Sequence, residues 1–75
     1  MSRNYSIELN NYLQKNNLSH AISWLNEQCG GGNAEWTVTC KINGEVKGVG
    51  KSSKKNAAKD YAAKQTLRSL GVQVD

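Results

Sequence analysis

Several things are missing from this sequence of 75 residues, and each absence narrows what it can be. Proline is absent, no segment repeats, and the single low-complexity patch, Gly30-Gly31-Gly32, is too short for an interdomain linker and reads as a mobile loop. With two cysteines, Cys29 and Cys40, and one histidine, His20, the chain lacks the four ligands of a structural zinc site. The six acids, Glu8, Glu27, Glu35, Glu45, Asp60 and Asp75, fall on separate segments without ligand-like or catalytic spacing. No run is apolar enough to cross a bilayer, and the first residues mix Arg3, Asn4, Glu8 and Asn10, unlike a signal peptide. The expectation is a cytoplasmic or nuclear protein without metal, cofactor, membrane contact or small-molecule substrate. In that reducing setting Cys40 is a small core residue and Cys29 is incidental.

What is present is one small domain. A chain this short supports a single modest core, which favours a binding surface over a deep catalytic pocket. The net charge of +4 is unevenly placed. Between Lys41 and Arg68 stand eight basic residues and two acids, a net of +6, whereas the first forty residues sum to −1. Such segregation predicts a directed basic face, and nucleic acid is the polyanion it suits; the plain alternative is a solvated helix that keeps the protein soluble.

Periodicity supplies the elements. Leu9, Tyr12 and Leu13 recur at helical spacing, so a first helix runs from Ile7 to Leu18 with Ser6 as its cap and Asn16-Asn17 as its end. His20 to Gln28 places Ile22 and Trp24 on one side of a strand, with Leu25 blurring the alternation. Trp36, Val38, Cys40 and Ile42 alternate with Thr37, Thr39, Lys41 and Asn43 in a second strand. Asn43-Gly44 then makes a tight primed turn, from which Glu45 to Val49 returns antiparallel. Lys54 to Leu70 is an alanine-rich helix with Ala58, Ala62, Leu67 and Leu70 on one face, stopped by Gly71. The fold class is therefore α+β, in the order α-β-β-β-α. Both helices pack on one face of a three-stranded antiparallel sheet, with Trp24, Trp36, Tyr12 and Tyr61 filling the core.

Gly48-Val49-Gly50-Lys51-Ser52-Ser53-Lys54-Lys55, leading into Ala57-Ala58-Lys59 and Ala62-Ala63, resembles the double-stranded RNA-binding domain. The resemblance runs from about Ile7 to Leu70. It includes the opening Leu9-Asn10-Asn11-Tyr12, the strand Trp36-Thr37-Val38-Thr39-Cys40 and the Asn43-Gly44 turn, all in the family's order. The spacing from Gly50 to Ala62-Ala63 looks similar to that in RNA helicase A-like members. The whole chain, 1–75, is taken as one domain with its core at about 6–71.

The resemblance implies three contact regions for double-stranded RNA. The first is the start of the second helix, where Lys54, Lys55 and Lys59 meet phosphate and Lys51 assists from the preceding loop. Anchoring the family's lysine pattern on Ser53 makes Lys54 and Lys55 the leading pair. Anchoring it on Ala62-Ala63 selects Lys55 and Lys59 and puts Asn56 in a lysine slot. Lys64 is taken as plain solvation. The second region is the exposed side of the first helix, where Asn10 and Asn11 stand in the positions of an amide and a carboxylate that bond 2′-hydroxyls. The third is the loop after the first strand, where Asn33 replaces the family's usual histidine; His20 is taken as a surface residue. The implied function is largely sequence-independent binding of double-stranded RNA, with no catalysis of its own. The rival readings are a protein-interaction or dimerisation module that has lost RNA, and an RNA-targeting module of a larger helicase, nuclease or deaminase.

Overall fold

A computed structural model describes residues 4–29 and 34–74. Helix α1 spans Tyr5–Lys15, strands β1, β2 and β3 span Ile22–Cys29, Glu35–Ile42 and Glu45–Ser52, and helix α2 spans Lys55–Ser69. The strands form one antiparallel meander in the order β1-β2-β3. The α-β-β-β-α order and the helix-covered sheet agree with the expectation from sequence.

Helix α1 begins earlier than its apolar spacing suggests. Asn4, not Ser6, is the cap: its Oδ1 accepts from the Ile7 backbone N–H at 3.2 Å and from the Ser6 hydroxyl at 2.7 Å. The Ser6 backbone N–H is satisfied from across the fold, donating to Asp60 Oδ1 of α2 at 3.1 Å. Both helices end on the same device. Asn17 at φ 58° and Gly71 at φ 85° take the left-handed conformation. Leu18 N–H then reaches back to Leu13 O at 2.7 Å, and Val72 N–H to Leu67 O at 2.9 Å. These are Schellman closures, and they account for Asn16-Asn17 and Gly71 acting as stops.

The Asn43-Gly44 turn has both central residues at positive φ, 54° and 82°, as a primed hairpin turn requires. Register then slips: Lys41 pairs with Val46 but Cys40 pairs with Gly48, leaving Lys47 as an extra residue in a β-bulge. Because side chains alternate along a strand, this single residue decides which face the glycines take. Without it Lys47 would point at the helices; with it Gly48 and Gly50 do, opposite Cys40 and Val38.

Those glycines let α2 lie directly against the backbone of β3. A Cβ at Gly50 would collide with the Ala58 carbonyl oxygen and stand 2.6 Å from Ala62 N. One at Gly48 would collide with the Ala62 carbonyl oxygen and stand 2.8 Å from Thr66 N. Ala58, Ala62 and Thr66, one turn apart on α2, face this contact, while Ala63 and Leu67 join Leu9 and Leu13 of α1 in the buried core. Val38, Cys40 and Ile42 complete the core from β2. Thr66 is buried but satisfied, its hydroxyl donating to Ala62 O at 2.8 Å. Burial pushes the Cys40 thiol above its ordinary range, in part offset by a hydrogen bond with Thr66. Cys40 is thus the buried core residue expected, and it is a free thiol.

The aromatic residues correct the core expected from sequence. Tyr12, Trp24 and Trp36 are only partly buried at its margin, and Tyr61 is 53% exposed. Tyr61 lies outside the arc of α2 that carries Ala58, Ala62, Ala63, Thr66 and Leu67, so its ring points to solvent. Beyond Trp24 the helix side of β1 continues with Asn26 and Gln28, both exposed, where the strand outruns the helices.

Candidate nucleic-acid interface

The start of α2 is electrostatically unfavourable for a helix standing alone. Its N-cap position is Lys54, no side chain caps it, and its first turn holds Lys55 and no acid. Positive charges at the positive end of a helix dipole are repelled by it. Helix α1 shows the ordinary arrangement by contrast, with Glu8 in its first turn and Lys15 in its last. A terminus built like that of α2 attracts an anion, since the dipole, the backbone N–H groups and the lysines all favour negative charge.

The structure brings Lys54, Lys55 and Lys59 together within this first stretch of α2. Lys54 and Lys55 are exposed and Lys59 is half-buried. The chain reaches this point from β3 through Ser52, whose hydroxyl accepts from Lys54 N–H at 3.3 Å. Lys55 and Lys59 rest against aromatic rings: Lys55 Nζ is 5.5 Å from the centroid of Trp36, and Lys59 Nζ is 5.1 Å from that of Trp24. Strand spacing in the sequence places both tryptophans in the core and does not pair them with the lysines. No local pattern links them to the lysines, because the contact depends on where α2 crosses the sheet.

Other residues singled out in the sequence take different places. Lys51 belongs to β3, not to a loop, and pairs with Thr37 on the sheet face opposite the helices. Asn10 and Asn11 are exposed on α1, and Asn11 lines a shallow groove with Glu8, Gln14, Lys15 and Val72. Lys64 is not simple solvation: its Nζ lies 5.4 Å from the ring centroid of Tyr5. With the bond from Ser6 N–H to Asp60, this contact fixes the start of α1 against the middle of α2. The two helices that would face a ligand are therefore held in a set relation. His20 is exposed, as expected. Asn33, with the Gly30-Gly31-Gly32 run, lies outside the described residues.

Among the described residues, no cluster of His, Cys, Asp and Glu is arranged to hold a metal ion. No helix among them is long and apolar enough to cross a membrane. The edge of β3 is partly closed by α2, since Gln65 Oε1 accepts from Val49 N–H at 3.3 Å and the Ser69 hydroxyl donates to Lys47 O at 2.8 Å.

A search of curated proteins finds no significant match. A scan against protein-family models matches residues 6–70 to the double-stranded RNA binding motif, a span that opens in α1 and closes just beyond α2. That motif is a binding unit and not a catalytic one. Since the match takes in both helices, the whole meander and the lysine-led start of α2, the chain belongs to the double-stranded RNA-binding domain family, whose ligand is double-stranded RNA.

Proposed function

We propose that this domain holds duplex RNA through its shape and backbone, largely without reading sequence. The observation that carries this reading is the start of α2, where three lysines crowd the positive end of a helix that has no acid in its first turn. That arrangement costs stability until a polyanion neutralises it. A-form RNA has a major groove too narrow for side chains and a shallow minor groove lined by 2′-hydroxyls, so a protein grips it across grooves. Domains of this family are known to span about 16 base pairs in this way. In this assignment Lys54, Lys55 and Lys59 take the phosphates that border the major groove. Asn10 and Asn11, which both donate and accept, meet 2′-hydroxyls in one minor groove, and Asn33 is the candidate for the other. Lys51, on the far sheet face, is left out of this assignment.

The partial closure of the β3 edge by Gln65 and Ser69 favours RNA over the rival of dimerisation through that strand. If catalysis is involved at all, it would lie in another domain of a longer parent chain, to which this module would deliver duplex RNA. A likeness to RNA helicase A-like members rests on the Gly50 to Ala62-Ala63 spacing alone.

The test is a titration against a duplex RNA of about 20 base pairs, long enough for one domain's footprint, beside DNA of the same sequence. Saturable binding is expected with RNA and far weaker binding with DNA. The logarithm of the RNA affinity should fall linearly with that of salt, by about 0.9 per phosphate neutralised. Equal affinity for the two duplexes would refute shape readout.

A further inference from the structure

Two of the three lysines at the start of α2 are held by tryptophans, and this contact goes beyond the general features of a basic helix terminus. Trp24 comes from β1 and Trp36 from β2, both on the helix side of the sheet. Each is partly buried and packed against the core, which keeps its ring from moving away. Lys59 lies 5.1 Å from the Trp24 centroid and Lys55 5.5 Å from the Trp36 centroid, within the ~6 Å reach of a cation–π attraction. Among the described residues no ring lies under Lys54.

We propose that Trp24 and Trp36 are positioning residues of the RNA site, fixing the ammonium groups of Lys59 and Lys55 so that these two, ahead of Lys54, carry the phosphate contact. The inference rests on the duplex RNA reading given above. An aromatic face suits this task better than a carboxylate would. Aspartate or glutamate would fix a lysine head but cancel the charge that phosphate needs. The ring attracts the cation through its quadrupole and leaves the unit charge and the outward N–H donors available. A lysine already confined over a ring also has less rotamer freedom to lose when it binds. Because Lys55 and Lys59 are four residues apart, their stems leave the helix about 6 Å apart along its axis and on one side. The sheet thus presents two fixed charges in a row at the helix start, with Lys54 as a looser third.

The chain has only two tryptophans, so biosynthetic replacement by fluorinated tryptophans alters these two rings and nothing else. Fluorine drains the ring face of electron density while nearly preserving its shape, which separates the cation–π role from packing. Duplex RNA affinity is expected to fall stepwise with the number of fluorines, by about three- to tenfold in total. In a Lys55→Gln, Lys59→Gln background, measured at low salt to keep binding visible, the series should be flat. Lys59→Gln should also weaken binding more than Lys54→Gln. A ring that serves packing alone would give the same trend in both backgrounds, and that result overturns the proposal. So does an affinity that stays level or rises across the series in the otherwise unaltered protein. Failure of the unsubstituted domain to bind duplex RNA overturns this proposal together with the reading beneath it, whereas a domain that binds but shows the same trend in both backgrounds loses this proposal alone.

Discussion

Changing Lys54, Lys55 and Lys59 together to alanine is expected to weaken duplex RNA binding by at least about a hundredfold at physiological salt. Hydrogen bonds to charged groups contribute about 1.5–3 kcal/mol each, and a hundredfold loss corresponds to about 2.7 kcal/mol, so even strongly non-additive losses reach it. The steepness of the salt dependence should drop as well, because fewer counterions are released. The fold should survive. Lys54 and Lys55 are exposed, Lys59 is half-buried, and alanine is the best helix former. Removing positive charge from the positive end of the dipole favours α2, which offsets much of the loss of two cation–π contacts. Circular dichroism with thermal unfolding checks that the variant is folded, and titration gives the affinity. A folded variant that binds as tightly as the parent would remove α2 from the RNA surface.

The second large effect is on stability. Gly50→Ala should destabilise the domain by about 3 kcal/mol, the upper end of the usual cost of overpacking. The added methyl would meet the Ala58 carbonyl oxygen and the Ala62 nitrogen, which are backbone atoms of a helix and cannot swing aside as a side chain would. Set against a total of about 4–11 kcal/mol for a domain of this size, that is a large fraction. The melting temperature should fall by about 10–20 °C. Gly44→Ala is the informative comparison. Nothing lies within 4 Å of a Cβ there, but its φ of 82° strains any other residue, so the loss should be nearer 1 kcal/mol. If Gly50→Ala melted within a degree or two of the parent, the close approach of α2 to β3 would be wrong. That approach matters for binding too, since lifting α2 from the sheet would carry Lys59 away from Trp24.

The features readable in the sequence are those set by short-range chemistry. Asn43-Gly44 declares a primed turn because few other pairs accept two positive φ angles. Asn17 and Gly71 mark helix ends for the same reason. The Val38-Cys40-Ile42 alternation announces its buried face without ambiguity. The cap of α1 is not set by residue type, since Asn4 and Ser6 are both suitable residues and only the geometry shows that Ser6 lies inside the helix. The bulge at Lys47 has no compositional mark, yet it determines that the glycines of β3 face α2. Tyr61 reads as core because it is an aromatic in a helical pattern, but its angular position on α2 leaves it at the surface.

For the candidate site, the lysines were legible as a cluster, whereas their ranking was not. Two ways of anchoring the family's pattern favour different pairs, and the pattern says nothing of what lies beneath each lysine. Trp24 and Trp36 come under Lys59 and Lys55 only when three elements distant in sequence have packed. Likewise Lys51 sits close to Lys54 in sequence, but strand alternation puts it on the opposite face of the sheet.

The most direct test of the central claim, that RNA docks on the helical side through the start of α2, is chemical-shift mapping of an isotope-labelled domain as unlabelled duplex RNA is added. The account predicts the largest shifts at Lys54, Lys55, Asn56 and Lys59, with the Trp24 and Trp36 indole signals and the exposed side of α1 around Asn10 and Asn11 also moving. Shifts gathered on the open face of the sheet, at Leu25, Thr37, Thr39, Val46 and Val49, with α2 undisturbed, would contradict it.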